Sequence, residues 1–183
     1  DWRLRALLVH GEILLAAGDV RRASEIYTEA ERATGLTANE ITDRPDLQPI
    51  VASLGLSAKV GVGRSLLADD NVSQARSYYS TLLGEARDDP SVRAAAGNGL
   101  AECDFRDGRM KEAQLGFARV AIEAAGTPEE HARALYFLGR CADELDKTGA
   151  EPSGATRAVA YFQEVQKRYP QTTWARQAAQ ARP

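Results

Sequence analysis

Residues 101–117 read AECDFRDGRMKEAQLGF, with alanine at 101, glycine at 108, alanine at 113 and phenylalanine at 117. The same order of small, small and aromatic residues stands upstream as Gly11, Ala23 and Tyr27, and again as Gly63, Ala75 and Tyr79, with identical separations of 12 and 4 residues. Gly11, Gly63, Ala101 and Gly139 follow one another at intervals of 52, 38 and 38 residues. Self-similarity at such a period is the mark of a repeat architecture, in which each unit is one supersecondary element. In the fourth unit the small and aromatic pair is Ala158 and Phe162, and the aromatic follows Gly139 by 23 residues instead of 16. Seven residues are therefore inserted within 146–154, where Gly149, Pro152, Ser153 and Gly154 are loop formers suited to a hairpin tip.

The segments between these markers read as helices. Leu4, Leu7, Leu8, Gly11, Leu14 and Leu15 form one stripe with steps of three and four residues, and Ala132, Leu135, Tyr136, Gly139 and Ala142 form another. The seven prolines, at 45, 49, 90, 128, 152, 170 and 183, all fall between or at the edges of such stripes. Thr127, Pro128 and Glu130 spell a capping box with proline at the first helical position, and Asp89 before Pro90 resembles it. No run alternates as a strand would. The pattern predicts helices at 2–17, 19–34, 47–69, 71–87, 90–107, 109–125, 128–146, 153–168 and 172–181, with 34–48 as an extended connection. The chain thus opens at Asp1 inside a helical stretch, so Asp1 is expected to be a boundary cut within a longer sequence.

With its small residue late in the first helix, its turn glycines Gly18 and Gly108 and its second-helix aromatics, the chain resembles the tetratricopeptide repeat family. Pro170 matches the family's terminal proline and Ala30 its second small residue. The family's large aromatic early in the first helix is replaced by Leu7, Lys59, Gly97 and Leu135, and the spacing of 38 exceeds the usual period of about 34. The resemblance implies an all-α, right-handed superhelical array of four antiparallel hairpins, at 1–35, 47–88, 90–126 and 128–170, closed by a capping helix at 171–183. Structural repeat positions are Gly11, Tyr27, Gly63, Tyr79, Ala101, Phe117, Gly139 and Phe162. The small partner lets the second helix lie close and the aromatic fills the resulting groove. Residues 132–145 and 158–179 are also similar to the closing repeats of bacterial envelope proteins, which makes a periplasmic assembly scaffold the alternative reading and leaves cytoplasm or periplasm open.

A length of 183 residues, 44% hydrophobic and 27% charged, describes a chain able to bury a continuous core. The net charge of -3, with acids and bases interspersed, lacks the clustered basic footprint of nucleic-acid binding. The longest wholly apolar runs, such as 13–17, fall far short of the roughly 20 residues of a membrane span. No catalytic constellation, metal set or cofactor motif is found. His10 and His131 lack spaced ligand partners, and Gly61, Gly63, Arg64 and Ser65 lack the lysine and preceding strand of a phosphate loop. The acidic pairs Asp69–Asp70 and Asp88–Asp89 sit where helix caps belong. Cys103 and Cys141, 38 residues apart, are repeat equivalents on neighbouring helices, too far apart for a disulfide and read as small buried residues.

Function is therefore expected on a surface. By resemblance to the family, the concave face carries Arg64, Asn98, Glu102, Arg133, Tyr136 and Arg140, a set able to hold a carboxylate-bearing protein or peptide through charge-assisted hydrogen bonds. The bland reading is a solvated face stitched by Glu102–Arg106 and Arg140–Glu144 pairs at helical spacing. Leu8 and Glu12 stand where the family's carboxylate clamp has a basic residue and an asparagine, so chaperone-tail binding is not expected. Self-association through an uncovered apolar terminal face, as a homodimer, is the third expectation.

Overall fold

Each first helix in this chain must let a bulky ring through to its partner, and the backbone shows how. The computed structural model describes residues 2–181 apart from 87, 125 and 151. Asp1, the expected helix ends at 87 and 125, residue 151 of the insertion and the closing Pro183 lie outside the described residues. All regular structure among the described residues is helical, in nine helices. They are α1 (Trp2–Ala16), α2 (Val20–Glu40), α3 (Gln48–Ala68), α4 (Val72–Glu85), α5 (Pro90–Arg106), α6 (Met110–Glu123), α7 (Pro128–Lys147), α8 (Gly154–Arg168) and α9 (Thr173–Gln180). The chain divides into two compact units, Asp1–Val92 and Arg93–Pro183.

In the first unit α1 packs on α2, α2 on α3 and α3 on α4, and α3 also reaches α1. A methyl added to Gly11 would come 2.6 Å from the Tyr27 ring, and one added to Gly63 would come 2.6 Å from the Tyr79 ring. Gly61, two residues earlier on α3, also abuts the Tyr27 ring, so that ring is held between α1 and α3. The Ser65 hydroxyl donates to the Gly61 carbonyl at 3.0 Å, which uses up the serine of the phosphate-loop lookalike inside the helix. Gly18 turns the chain between α1 and α2 at a φ of 80°, and Asp19 then caps α2 by accepting from the Arg22 amide at 3.2 Å. Asp70 occupies the same turn 52 residues later at a φ of 56°, a left-handed conformation that aspartate tolerates better than most residues.

One expected boundary is corrected. The segment after residue 34 is not an extended connection, because α2 continues to Glu40 and only 41–47 link it to α3. Gly35 would favour a stop, yet the 21-residue α3 offers a long surface, and Thr34 packs its methyl against Gly55 at 2.7 Å from where a Cβ would stand. Tertiary burial outweighs the glycine's propensity cost of about 1 kcal/mol. α3 is also the one helix among the described residues that is long and apolar enough to cross a membrane. Val51, Ala58, Val60 and Leu67, on two opposite sides of the helix, are buried in this packing, and it carries Lys59 at mid-length, paired to Glu85 on α4, and Arg64 nearer its end.

In the second unit α7 is the central helix, packed against α6, α8 and α9. Gly139 faces the Phe162 ring, 2.5 Å from an added methyl, repeating the contact of the first unit. Between α5 and α6 the closest approach moves by one residue, so that Gly116 abuts the Ala101 methyl while Phe117 is fully buried. Phe117 stacks on Phe137 of α7 with centroids 4.8 Å apart and planes 6° from parallel. Gly108 turns α5 into α6 at a φ of 77°. Of the insertion, 148–150 and 152–153 are turn, and Gly154 starts α8 with its amide donating to Asp146 at 3.0 Å. Cys103 and Cys141 are both outside any disulfide and fully buried, and burial pushes the Cys141 thiol up to about 12.

Two glycines of the same residue type carry opposite expectations. Gly139→Ala forces the Phe162 ring to move and should destabilise the chain by about 1–3 kcal/mol. Gly35→Ala meets nothing within 4 Å and should stabilise by about 0.4–1 kcal/mol. Urea unfolding of both variants reads the two signs directly.

Candidate binding site

The residues expected on one face separate into those turned inward and those left accessible. Asn98 and Glu102 lie on α5, one helical turn apart, and face the first turns of α7. Asn98 is fully buried, and its Nδ2 donates at 2.8 Å to both the Glu130 carbonyl and the Glu130 Oε2. Glu102 accepts from Arg133 Nη2 at 2.8 Å and from Arg106 Nε and Nη2 at 3.2 and 3.0 Å. Arg133 is 4% exposed, lies 3.6 Å from Glu130 and places its guanidinium 5.7 Å from the Trp174 ring centre. Burial raises the Glu102 pKa, but Arg133 and Arg106 together more than offset this and hold the carboxyl below its ordinary value.

Three expected partner-binding residues thus act between helices of their own chain. The charge of Arg133 is matched from within, by Glu102 and Glu130. The capping box at Thr127 does not form either. Thr127 Oγ1 donates to the Ala124 carbonyl at 3.0 Å, and the Glu130 carboxylate goes to Asn98 and Arg133 instead. Asp89 does cap its helix, accepting from the Ser91 and Val92 amides at 3.1 Å each.

Tyr136 and Arg140 come together one turn apart on α7. Arg140 Nη1 donates to the Tyr136 hydroxyl at 3.2 Å, and its guanidinium lies 5.6 Å from the Phe105 ring centre. Their surface opens on a concavity of about 320 Å³, lined also by Asp143, Lys147, Phe162, Gln177, Gln180 and Ala181 from α7, α8 and α9. Lys147 Nζ donates to Asp143 at 2.6 Å and to Glu144 at 3.1 Å. The floor is aromatic: Tyr136 meets Phe162 at 5.8 Å and Trp174 at 5.5 Å between ring centres. Sequence reasoning missed Asp143, Lys147, Gln177 and Gln180. The first two stand one and two turns after Arg140 on the same helix, a signal that was readable, whereas the glutamines depend on where α9 docks.

Arg64 belongs to the first unit, half-buried on α3. It lies close enough to Tyr27 to pull that hydroxyl down, while burial pushes it up to about 12. The first unit has two larger concavities of its own. One of about 670 Å³ lies between α1 and α2 beside Leu4, Arg32 and Leu36, and one of about 630 Å³ lies among Glu31, Lys59, Tyr78 and Glu85. Both are crossed by internal pairs, Arg3–Glu29 at 3.4 Å in the first and Tyr78–Glu31 at 3.4 Å in the second. Among the described residues no cluster of three histidine, cysteine or carboxylate groups could hold a metal ion. Compared with known protein families the chain matches none, and no curated protein matches it.

The two histidines part company. His10 is exposed, whereas His131 is buried and its Nδ1 lies 2.5 Å from the Tyr169 hydroxyl at the end of α8. Burial first, then Arg168, lowers the His131 pKa from 6.5, with Glu164 opposing. The unfolded chain therefore takes up this proton more readily, so stability is at its full value above about pH 6.5 and falls as pH drops below it. Urea midpoints measured from pH 7.5 to 5.5 should show this fall, and His131→Gln should flatten it. A second expectation concerns the ion network. Arg133→Ala leaves Glu102 with Arg106 alone and the buried Glu130 with the neutral Asn98 in place of a cation, and should cost about 3–5 kcal/mol in the same assay.

Proposed function

We propose that this chain is a non-catalytic scaffold of tetratricopeptide type that holds a protein or peptide segment, and that its binding site in the second unit is the concavity at Tyr136 and Arg140. The observation that carries the reading is the division of labour on α7. Arg133 is locked inside by carboxylates, while Arg140, two turns further along nearly the same face, is oriented by Tyr136 and Phe105 at the mouth of a cavity. A guanidinium held by a ring and a hydroxyl loses little freedom on meeting a ligand, which favours binding.

The lining matches a peptide better than a small cofactor. Arg140, Lys147, Gln177 and Gln180 supply several donors, Asp143 supplies acceptors, and Tyr136 and Phe162 supply apolar contact. Such a set suits a peptide carboxylate with an adjacent apolar side chain and main-chain groups on either side. The reading has no role for a metal or a covalent step.

Selection of displayed peptides on the immobilised chain, followed by calorimetric titration of the winners, tests it. Arg140→Gln should weaken the selected peptides about tenfold, from the loss of a hydrogen bond to a charged group worth roughly 1.5–3 kcal/mol, with helical content unchanged. Peptides that bind Arg140→Gln and Lys147→Gln as tightly as the parent chain would place the partner elsewhere and end this assignment.

A further inference from the structure

The outer side of α1 carries an apolar seam that nothing in the first unit covers. Trp2 is 79% exposed, Val9 54% and Ile13 62%, and Ala6 and Ala16 between and after them are exposed as well. Residues 2, 6, 9, 13 and 16 step by four, three, four and three. That is the spacing by which one helix presents a straight seam to another.

The repeat register shows what such a seam is for in this fold. Adding 52 to Ala6, Val9 and Ile13 gives Ala58, Gly61 and Ser65 on α3. All three are buried, because α2 lies across them with the Tyr27 ring against Gly61. The same line on a first helix is thus an interface inside the unit. On α1 it differs in one respect. Val9 and Ile13 stand where α3 has glycine and serine, so there is no groove for a ring like Tyr27, which at Gly61 leaves no room even for a methyl. What fits an aliphatic ridge with a small residue at its middle is another ridge of that kind, and α1 is one.

We infer that the occupant is a second copy of this chain, joined by antiparallel pairing of α1 with its counterpart about a two-fold axis. With residues whose numbers sum to 15 placed opposite each other, Trp2 meets Ile13 of the partner subunit, and Ala6 meets Val9 of the partner subunit. Ala6 then lies at the centre and allows close approach. The residues flanking the seam agree in charge: Arg5 stands diagonally across from Glu12 of the partner subunit, two positions beyond the direct pairing, and the symmetry makes this pair twice. The seam is short beside the roughly 800 Å² per partner of a standard interface, so the dimer is a weak one, half-associated on the order of 10 µM. This surface is separate from the concavity at Arg140, and the two assignments stand or fall independently.

Sedimentation of the whole chain from about 2 to 200 µM tests the dimer. The expected result is a rise from one chain to two, with Trp2 emission shifting to the blue over the same range. Ile13→Glu should weaken association at least tenfold with unchanged helical content, since this side chain is largely exposed in its own unit. Trp2→Glu, also at an exposed position, gives the same reading should Ile13→Glu lose structure. Arg5→Glu and Glu12→Arg should each weaken the dimer severalfold, and the double variant should restore it, because the reversed charges again face each other. A single chain at every concentration, a dimer indifferent to Ile13→Glu and Trp2→Glu, or a double charge reversal that fails to restore pairing overturns the proposal.

Discussion

A ring pressed onto bare backbone is the contact on which the rest of this chain depends. Tyr27 lies on Gly11, Tyr79 on Gly63 and Phe162 on Gly139, each closer than a methyl would permit. Two helices that meet this way approach each other more closely than side chains on both would allow, and their register is set along the axis as well as around it. The contact recurs because the hairpin is the repeated object. Once it is set, the outer face of each hairpin has a fixed position, and the next first helix can be shaped to it. Gly61 shows the consequence, since it also abuts the same Tyr27 ring.

The second unit adds a buried polar layer to this scheme. Asn98, Glu102, Glu130 and Arg133 link α5 to α7 across what would otherwise be an apolar contact. Buried ion pairs of this kind add little net stability over apolar residues of the same shape, because both charges must leave water. They do penalise any displacement of one helix along the other, since each shift would leave a charge unmatched. This layer also sorts the arginines. Arg133 is committed to the core and Arg140 to the surface, although both were candidates for the same role, and the difference of seven residues carries them to different surroundings on one helix.

Ordered rings then connect the layer to the candidate site. Phe105, Phe117, Tyr136 and Trp174 gather round Phe137 at centroid distances of 4.8 to 5.7 Å, with Arg133 against Trp174 at one side and Arg140 against Phe105 at the other. α9, eight residues long, is held chiefly by Trp174, Ala175 and Ala178, and its glutamines complete the cavity wall. A short helix could not stand alone in water. Its place, and so the shape of the cavity, comes from the aromatic floor beneath it.

The sequence by itself determined the helices, their order and the pairing of small residues with rings, because these follow from periodicity and from spacing along one chain. Gly11 with Tyr27 or Gly63 with Tyr79 can be read without coordinates, since a ring needs a gap and the gap recurs at the same distance. Cys103 and Cys141 were legible as buried for the same reason. Only the tertiary structure decided the rest, wherever one residue type has two uses. Gly35 could end a helix or be carried through it, and the length of α3 decided for the second. Glu130 could cap its own helix or turn to Asn98 and Arg133, and the neighbour on α5 decided. Arg133 and Arg140 carry the same group and can each serve as anchor or as counter-ion. Which one a side chain becomes depends on charges brought next to it from residues 31 positions away, as with Glu102 and Arg133, and no local pattern contains that distance.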